Sequence, residues 1–207
     1  MSTQIATAKS PTRDARVEEK IRKLRELYAD ASEIGKAALE NGLPMLTGEL
    51  AAPPRVQNAG RIGLRQGNVS ELCVFLPFVE GGAKRLRGLL QLLEGNFRAA
   101  DAVGTVHDMR FVFVDNDTKL LFATAYDGDF DAYIDDFAAK IPNAMDLWLS
   151  NCEGYPGMRS GKAKEWIFKH QIAAEAWYVN SPDLTAAETR RLERVGKAFE
   201  ELLDKVG

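Results

Sequence analysis

Only two side chains of this 207-residue chain, His107 and His170, are imidazoles able to exchange a proton near neutral pH. They are its natural candidates for general acid-base work. His107 lies in "TVHDMRFVFVD", where strict alternation groups it with Met109, Phe111 and Phe113 and sets Asp108 and Arg110 with Val112 and Val114. On a face lining a pocket, His107 could be a general base or a metal ligand; at a sheet edge it would bond a backbone carbonyl. Arg110, on an otherwise apolar face, needs a carboxylate or an anionic ligand to offset its desolvation, and Asp108 or Asp127 would serve. His170 ends "KAKEWIFKHQ", where a cation complements the helix dipole and from where an axial haem ligand could also project.

Five aspartates crowd residues 127–136. "DGDFDAYIDDFA" lacks the glycine at the sixth loop position and the glutamate at the twelfth that an EF-hand requires, so Asp129 and Asp131 are expected at a helix start instead. Two histidines cannot supply a histidine-rich zinc or di-iron centre unless Cys152, Glu153 and aspartates join them, and no metal site is expected. Cys152, in "NCEGYPG", has no base placed beside it by the sequence and is expected as a buried thiol. With Cys73 it makes only two cysteines, without metal-ligand spacing, as for free thiols in a reducing cytoplasm. Trp148, Trp166, Trp177 and Tyr178 could wall a pocket for a flat ligand or fill the core. "GRIGLRQG" follows no strand and opens no helix, so it is not a phosphate-cradling loop.

Hydrophobic residues make up 45% and charged residues 28% of the chain, the balance of a globular protein with one core, and no apolar run reaches the ~20 residues that cross a bilayer. Residues 1–69 carry 11 Lys+Arg against 8 Asp+Glu, and residues 70–207 carry 16 against 22. Neither part clusters the positive charge that nucleic acid demands. "MSTQIATAKSPTRDAR" has no apolar core or cleavage site and reads as a mobile polar leader over residues 1–13.

The elements that must position these residues follow from periodicity. Residues 14–41 predict an amphipathic helix broken near Asp30 and stopped by Gly42 and Pro44; an extended connector then runs to residue 69. "ELCVFLPFVE" is apolar on both alternating faces and predicts a strand covered on both sides. A helix over "GGAKRLRGLLQLLEGN" follows, then two strands joined by a hairpin at "NDT", and a helix over "DFDAYIDDFAAKIPNAMDLWLSN" interrupted at Pro142. A short helix ending at His170, a last strand "AAEAWYVN" and a final helix opened by "SPDLTAAE" complete the chain. The order strand, helix, strand, strand, helix, strand over residues 70–207 is that of an α+β, ferredoxin-like βαββαβ core with extra N- and C-terminal helices. Its second sheet face is apolar and calls for a cover, either a partner subunit's sheet or the terminal helices.

These residues resemble the dimeric α+β barrel superfamily. "HDMRFVFVD", "LLFATAYDGDFDAYIDDF" and "FKHQIAAEAWYV" are similar to a stretch of proteins related to dye-decolorising haem peroxidases. That family's distal signature is a glycine, two residues, then Asp-Gly; Tyr126-Asp127-Gly128 carries its end, with Thr124 where the glycine would stand. The resemblance implies a homodimeric oxidoreductase acting on a small aromatic-type molecule in an apolar pocket, either peroxidase-like with haem or monooxygenase-like without cofactor. His107, Arg110 and Tyr126 are then the expected catalytic groups and His170 the cofactor-binding one. The alternative is a non-catalytic dimer that binds a ligand or partner through its additional helices.

Overall fold

The computed structural model describes residues 12–206, which divide after Pro54 into two compact units. Most of the expected leader lies outside the described residues. In the first unit, α1 (Arg13–Leu27) and α2 (Glu33–Ala51) pack on one another. The hydroxyls of Thr12 and Ser32 accept from the backbone N–H groups of Ala15 and Gly35, supplying each helix start with an acceptor it lacks internally. Arg25 on α1 clamps Glu40 on α2 through two 2.8 Å hydrogen bonds. The break falls near Asp30 as expected. The stop does not fall at Gly42 and Pro44: α2 runs on to Ala51, because an interior proline forfeits one N–H bond, and packing against α1 outlasts that loss.

In the second unit, β1 (Val56–Asn58) and β2 (Leu64–Gln66) form a hairpin inside the expected connector. A tight turn at Gly67-Asn68 leads into β3 (Val69–Pro77). Gly67 has φ +57°, and a Cβ there would lie 2.4 Å from the carbonyl oxygen of Pro182. α3 (Gly82–Leu93) and a short α4 (Arg98–Val103) follow. β4 (Val106–Val114) and β5 (Lys119–Asp127) are joined by a hairpin in which Asp115, Asn116 and Asp117 all take positive φ. Then come α5 (Phe130–Lys140), α6 (Pro142–Leu149), a 3₁₀ turn (Met158–Ser160), α7 (Ala163–His170) and α8 (Ala186–Val206). The fold is α+β with an open, antiparallel five-stranded sheet in the order β1-β2-β3-β5-β4.

One sheet face carries Leu72, Val74 and Leu76 of β3, Leu120, Phe122, Thr124 and Tyr126 of β5, and Met109, Phe111 and Phe113 of β4. It packs against Leu86 of α3, Tyr133, Ile134 and Phe137 of α5, Met145 and Trp148 of α6, and Trp166 and Ile167 of α7. Each such large apolar side chain contributes about 1.5–3 kcal/mol on burial. The opposite face, with Cys73, Phe75, Leu121, Ala123 and Val112, is only partly buried rather than covered on both sides.

Residues 173–180 do not form the expected last strand. The segment starts as one, with Gln171 bridging Val74 and Ile172 N–H donating to the Cys73 carbonyl at 2.9 Å. At Ala174 the N–H meets the Glu71 carboxylate (3.4 Å) instead of a β3 carbonyl, and the β1–β2 hairpin already occupies the edge of β3 at Val69 and Ser70. The ladder therefore stops after one bridge.

Candidate functional site

The site begins with a fault in the ladder. Along β4 and β5 the pairing steps from Val106–Tyr126 to Asp108–Ala125, leaving His107 as an extra, unpaired residue. A bulge of this kind bends the strand and re-aims a side chain. From this position His107 reaches the end of β5. Its Nε2 lies 2.6 Å from Oδ1 of Asp127, and the two side chains are 20% and 12% exposed.

Asp127 is fixed from two further sides. Its N–H donates to the Thr105 carbonyl at 2.9 Å, and its Oδ2 accepts from the N–H of Ala186, the first residue of α8, at 2.9 Å. That helix start is itself defined by a capping box in "LTAAE". Thr185 Oγ1 accepts from Glu188 N–H (3.2 Å), and the Glu188 carboxylate accepts from Thr185 N–H (2.8 Å). A carboxylate at the positive end of a 21-residue helix is electrostatically complemented there.

Because a carboxylate only accepts, Nε2–H of the neutral imidazole donates to Asp127, and Nδ1 keeps its lone pair. Among the described residues Nδ1 makes no hydrogen bond. His107 borders a hollow of about 250 Å³, with Phe97, Asp101, Val106, Met109 and Arg190. Arg190 of α8 is half-buried and, among the described residues, hydrogen-bonds only through long contacts, 3.4 Å each, to the carbonyls of Gly104 and Val106. Chemically, the arrangement offers an imidazole oriented by a carboxylate, in a hollow also lined by Arg190, Asp101 and Asp108.

The other expected residues lie elsewhere. Arg110 pairs with Asp108 at 2.8 Å, is 63% exposed, and does not border the hollow. Tyr126 is fully buried on the helix-covered face, its ring stacked on Tyr133 with centroids 3.9 Å apart, and burial pushes its phenol far above the ordinary range. Its hydroxyl has no partner among the described residues, whereas Tyr133 bonds Thr124 at 2.7 Å. His170 Nδ1 lies 2.8 Å from the Trp166 carbonyl one turn back, so Nδ1 carries the proton and the ring closes on its own helix.

The aspartate run is taken up by cations. Asp129 occupies the first cap position of α5 but engages Arg65 instead of the helix N–H groups; Lys164 bridges Asp131 and Asp135, and Lys140 pairs with Asp136. Among the described residues no three His, Cys, Asp or Glu side chains converge as a metal site. Cys152 is buried and its thiol is pushed up to about 12 by desolvation. Its loop is held structurally by the Tyr155 hydroxyl and the Met158 N–H, which both donate to Asp146 Oδ1 at 2.7 Å. Trp148 and Trp166 are core, and Tyr178 is 81% exposed, so the aromatic residues wall no common pocket.

Sequence reasoning missed Arg190 and the Asp127 contact to His107. The capping box was the available signal, since it fixes where α8 starts and therefore which N–H can reach a carboxylate; nothing in "TVHDMRF" marks the bulge. No known protein family, curated protein or solved structure matches the chain. No helix among the described residues is long and apolar enough to cross a membrane.

Proposed function

We propose that the protein is an enzyme in which His107 acts as general base on a small aromatic-type molecule. Asp127 orients the ring, and Arg190 meets the anion that forms. The observation that carries this reading is the 2.6 Å contact of His107 Nε2 with Asp127, at a residue that lines the hollow. At about 250 Å³ the hollow is just below the usual range for small-molecule sites, about 300–1,000 Å³, so the ligand it takes is small. Within the oxidoreductases this matches cofactor-free oxygenation. Nδ1 removes a proton from an activated CH₂ group, the carbanion reduces dioxygen, the CH₂ becomes a carbonyl, and the second oxygen atom leaves as water. A ferredoxin-like core is supported by the antiparallel β3–β5–β4 order with intervening helices, and by Gln171 bridging the outer edge of β3.

The test is dioxygen uptake with a panel of phenols and benzylic ketones activated at a CH₂ group. Turnover that His107→Ala lowers by on the order of 10²–10⁴-fold supports the reading. Turnover that His107→Ala leaves intact contradicts it.

A haem-based reading draws on His170, whose Nδ1–H bond to Trp166 leaves Nε2 free as a donor. The enclosed apolar space beside Trp166 is only about 10 Å³, too small to hold a macrocycle there. No step is assigned to haem. A stoichiometric Soret shift on haemin titration, abolished by His170→Ala, would reinstate it.

A further inference from the structure

The last helix presents an apolar stripe that the rest of its unit does not use. In α8 only Ala186 is buried, while Leu192, Val195, Phe199, Leu202, Leu203 and Val206 are each more than half exposed. Leu192, Val195, Phe199, Leu202 and Val206 are spaced three and four apart in alternation, the a/d repeat of a coiled coil, and Leu203 widens the seam. A seven-residue seam of this kind fits another helix better than it fits a sheet.

The charges along α8 say which helix. The half before residue 198 holds Arg190, Arg191, Arg194 and Lys197 against Glu188 and Glu193; the half after it holds Glu200, Glu201 and Asp204 against Lys205. One half is basic and the other acidic, so two copies laid antiparallel oppose unlike halves, whereas a parallel pair opposes like ones. A two-fold axis across the middle of the helix satisfies both seam and charge.

We propose that the protein self-associates through α8, the helix of one chain packing antiparallel on that of a second copy. The six stripe residues offer roughly 600 Å² of apolar area per chain, so a pair reaches the lower end of the range for a specific interface. The interface is independent of the chemistry at His107, although the same helix supplies Ala186 N–H to Asp127 and Arg190 to the hollow.

Sedimentation equilibrium of the full chain at tens of micromolar tests this. The wild type is expected as a dimer, and Val195→Asp/Phe199→Asp as a monomer with an unchanged far-ultraviolet spectrum, its Kd at least ~100-fold weaker. A wild-type monomer overturns the proposal, whatever else in the chain covers the stripe. So does a double variant that still dimerises, which would move the interface elsewhere, for instance to the open sheet face. Glu200→Lys/Glu201→Lys/Asp204→Lys is expected to self-associate about tenfold more weakly at low salt, and to recover when mixed with Arg191→Glu/Arg194→Glu/Lys197→Glu. Equal self-association of the reversed variant and the wild type overturns the antiparallel arrangement.

Discussion

His107 and His170 are each hydrogen-bonded through one ring nitrogen, but through opposite ones and to partners of different kinds. His170 gives its Nδ1 proton to a carbonyl of its own helix one turn back, beside Trp166, so its contact closes a local loop. His107 is joined through Nε2 to a carboxylate brought from another strand, and that carboxylate is held in turn by the start of a helix about 60 residues further along. One arrangement satisfies a polar group at a helix end. The other ties an imidazole at the rim of a hollow to a second strand and to a helix start. A histidine's surroundings, more than its presence, decide whether it can do chemistry.

The largest effect expected from breaking this contrast is functional. Asp127→Asn should lower any His107-dependent turnover by about 10²-fold or more, because an amide no longer fixes the ring's tautomer, whereas His170→Ala should change the same turnover less than about twofold. Comparable losses in the two variants would erase the distinction.

Thr185→Ala sharpens the comparison from the helix side. Loss of the capping box should lower stability by about 1 kcal/mol, read from chemical denaturation, and loosen the N–H that supports Asp127. Turnover should fall along with stability; if stability drops while turnover per folded molecule holds, the helix start does not support the site.

A second buried carboxylate gives a contrast in pH. Glu71 accepts from Leu64 and Ala174 N–H at 3.0 and 3.4 Å, but among the described residues it pairs with no cation like those around the aspartate run, and desolvation raises its pKa above the usual carboxylate value. With the folded value raised, the unfolded chain ionises first. The group's contribution is therefore fully present below the ordinary carboxylate range, about 4.3, and is lost as pH rises through the folded value. Melting temperatures of the wild type and Glu71→Gln, taken from pH 4 to pH 8, should diverge in the variant's favour as pH rises. Parallel curves would show that Glu71 does not titrate in this way.

The most local effect belongs to His170→Ala, expected to cost about 0.5–1.5 kcal/mol through its single helix-end hydrogen bond. A loss several times larger would indicate a role beyond closing that turn.

Much of the frame was legible in the sequence. "NDT" announced the β4–β5 hairpin through residues that tolerate positive φ, Pro142 marked the step from α5 to α6, and the period of "KAKEWIFKH" gave α7. The failures share a cause: each depended on a partner distant in sequence. α2 continues through Pro44 because α1 packs against it, and residues 173–180 leave the sheet because the Glu71 side chain and the β1–β2 hairpin occupy the positions they would need. Of the candidate site, His107 could be named from its type. Its bulge, the contact to Asp127 and the arrival of Arg190 arise from tertiary packing, and Arg110 and Tyr126, equally plausible by type, are drawn into an exposed ion pair and a buried aromatic stack.

Because the chain has only two histidines, ¹⁵N-correlated NMR of the imidazole rings in the uniformly labelled full chain tests the central claim without any substrate. His107 is expected as the Nε2–H tautomer in its neutral form, with an unprotonated Nδ1, and His170 as the Nδ1–H tautomer, with Asp127→Asn disturbing only the first. Finding His107 as the Nδ1–H tautomer, or unchanged by Asp127→Asn, would contradict the relay on which the proposed chemistry rests.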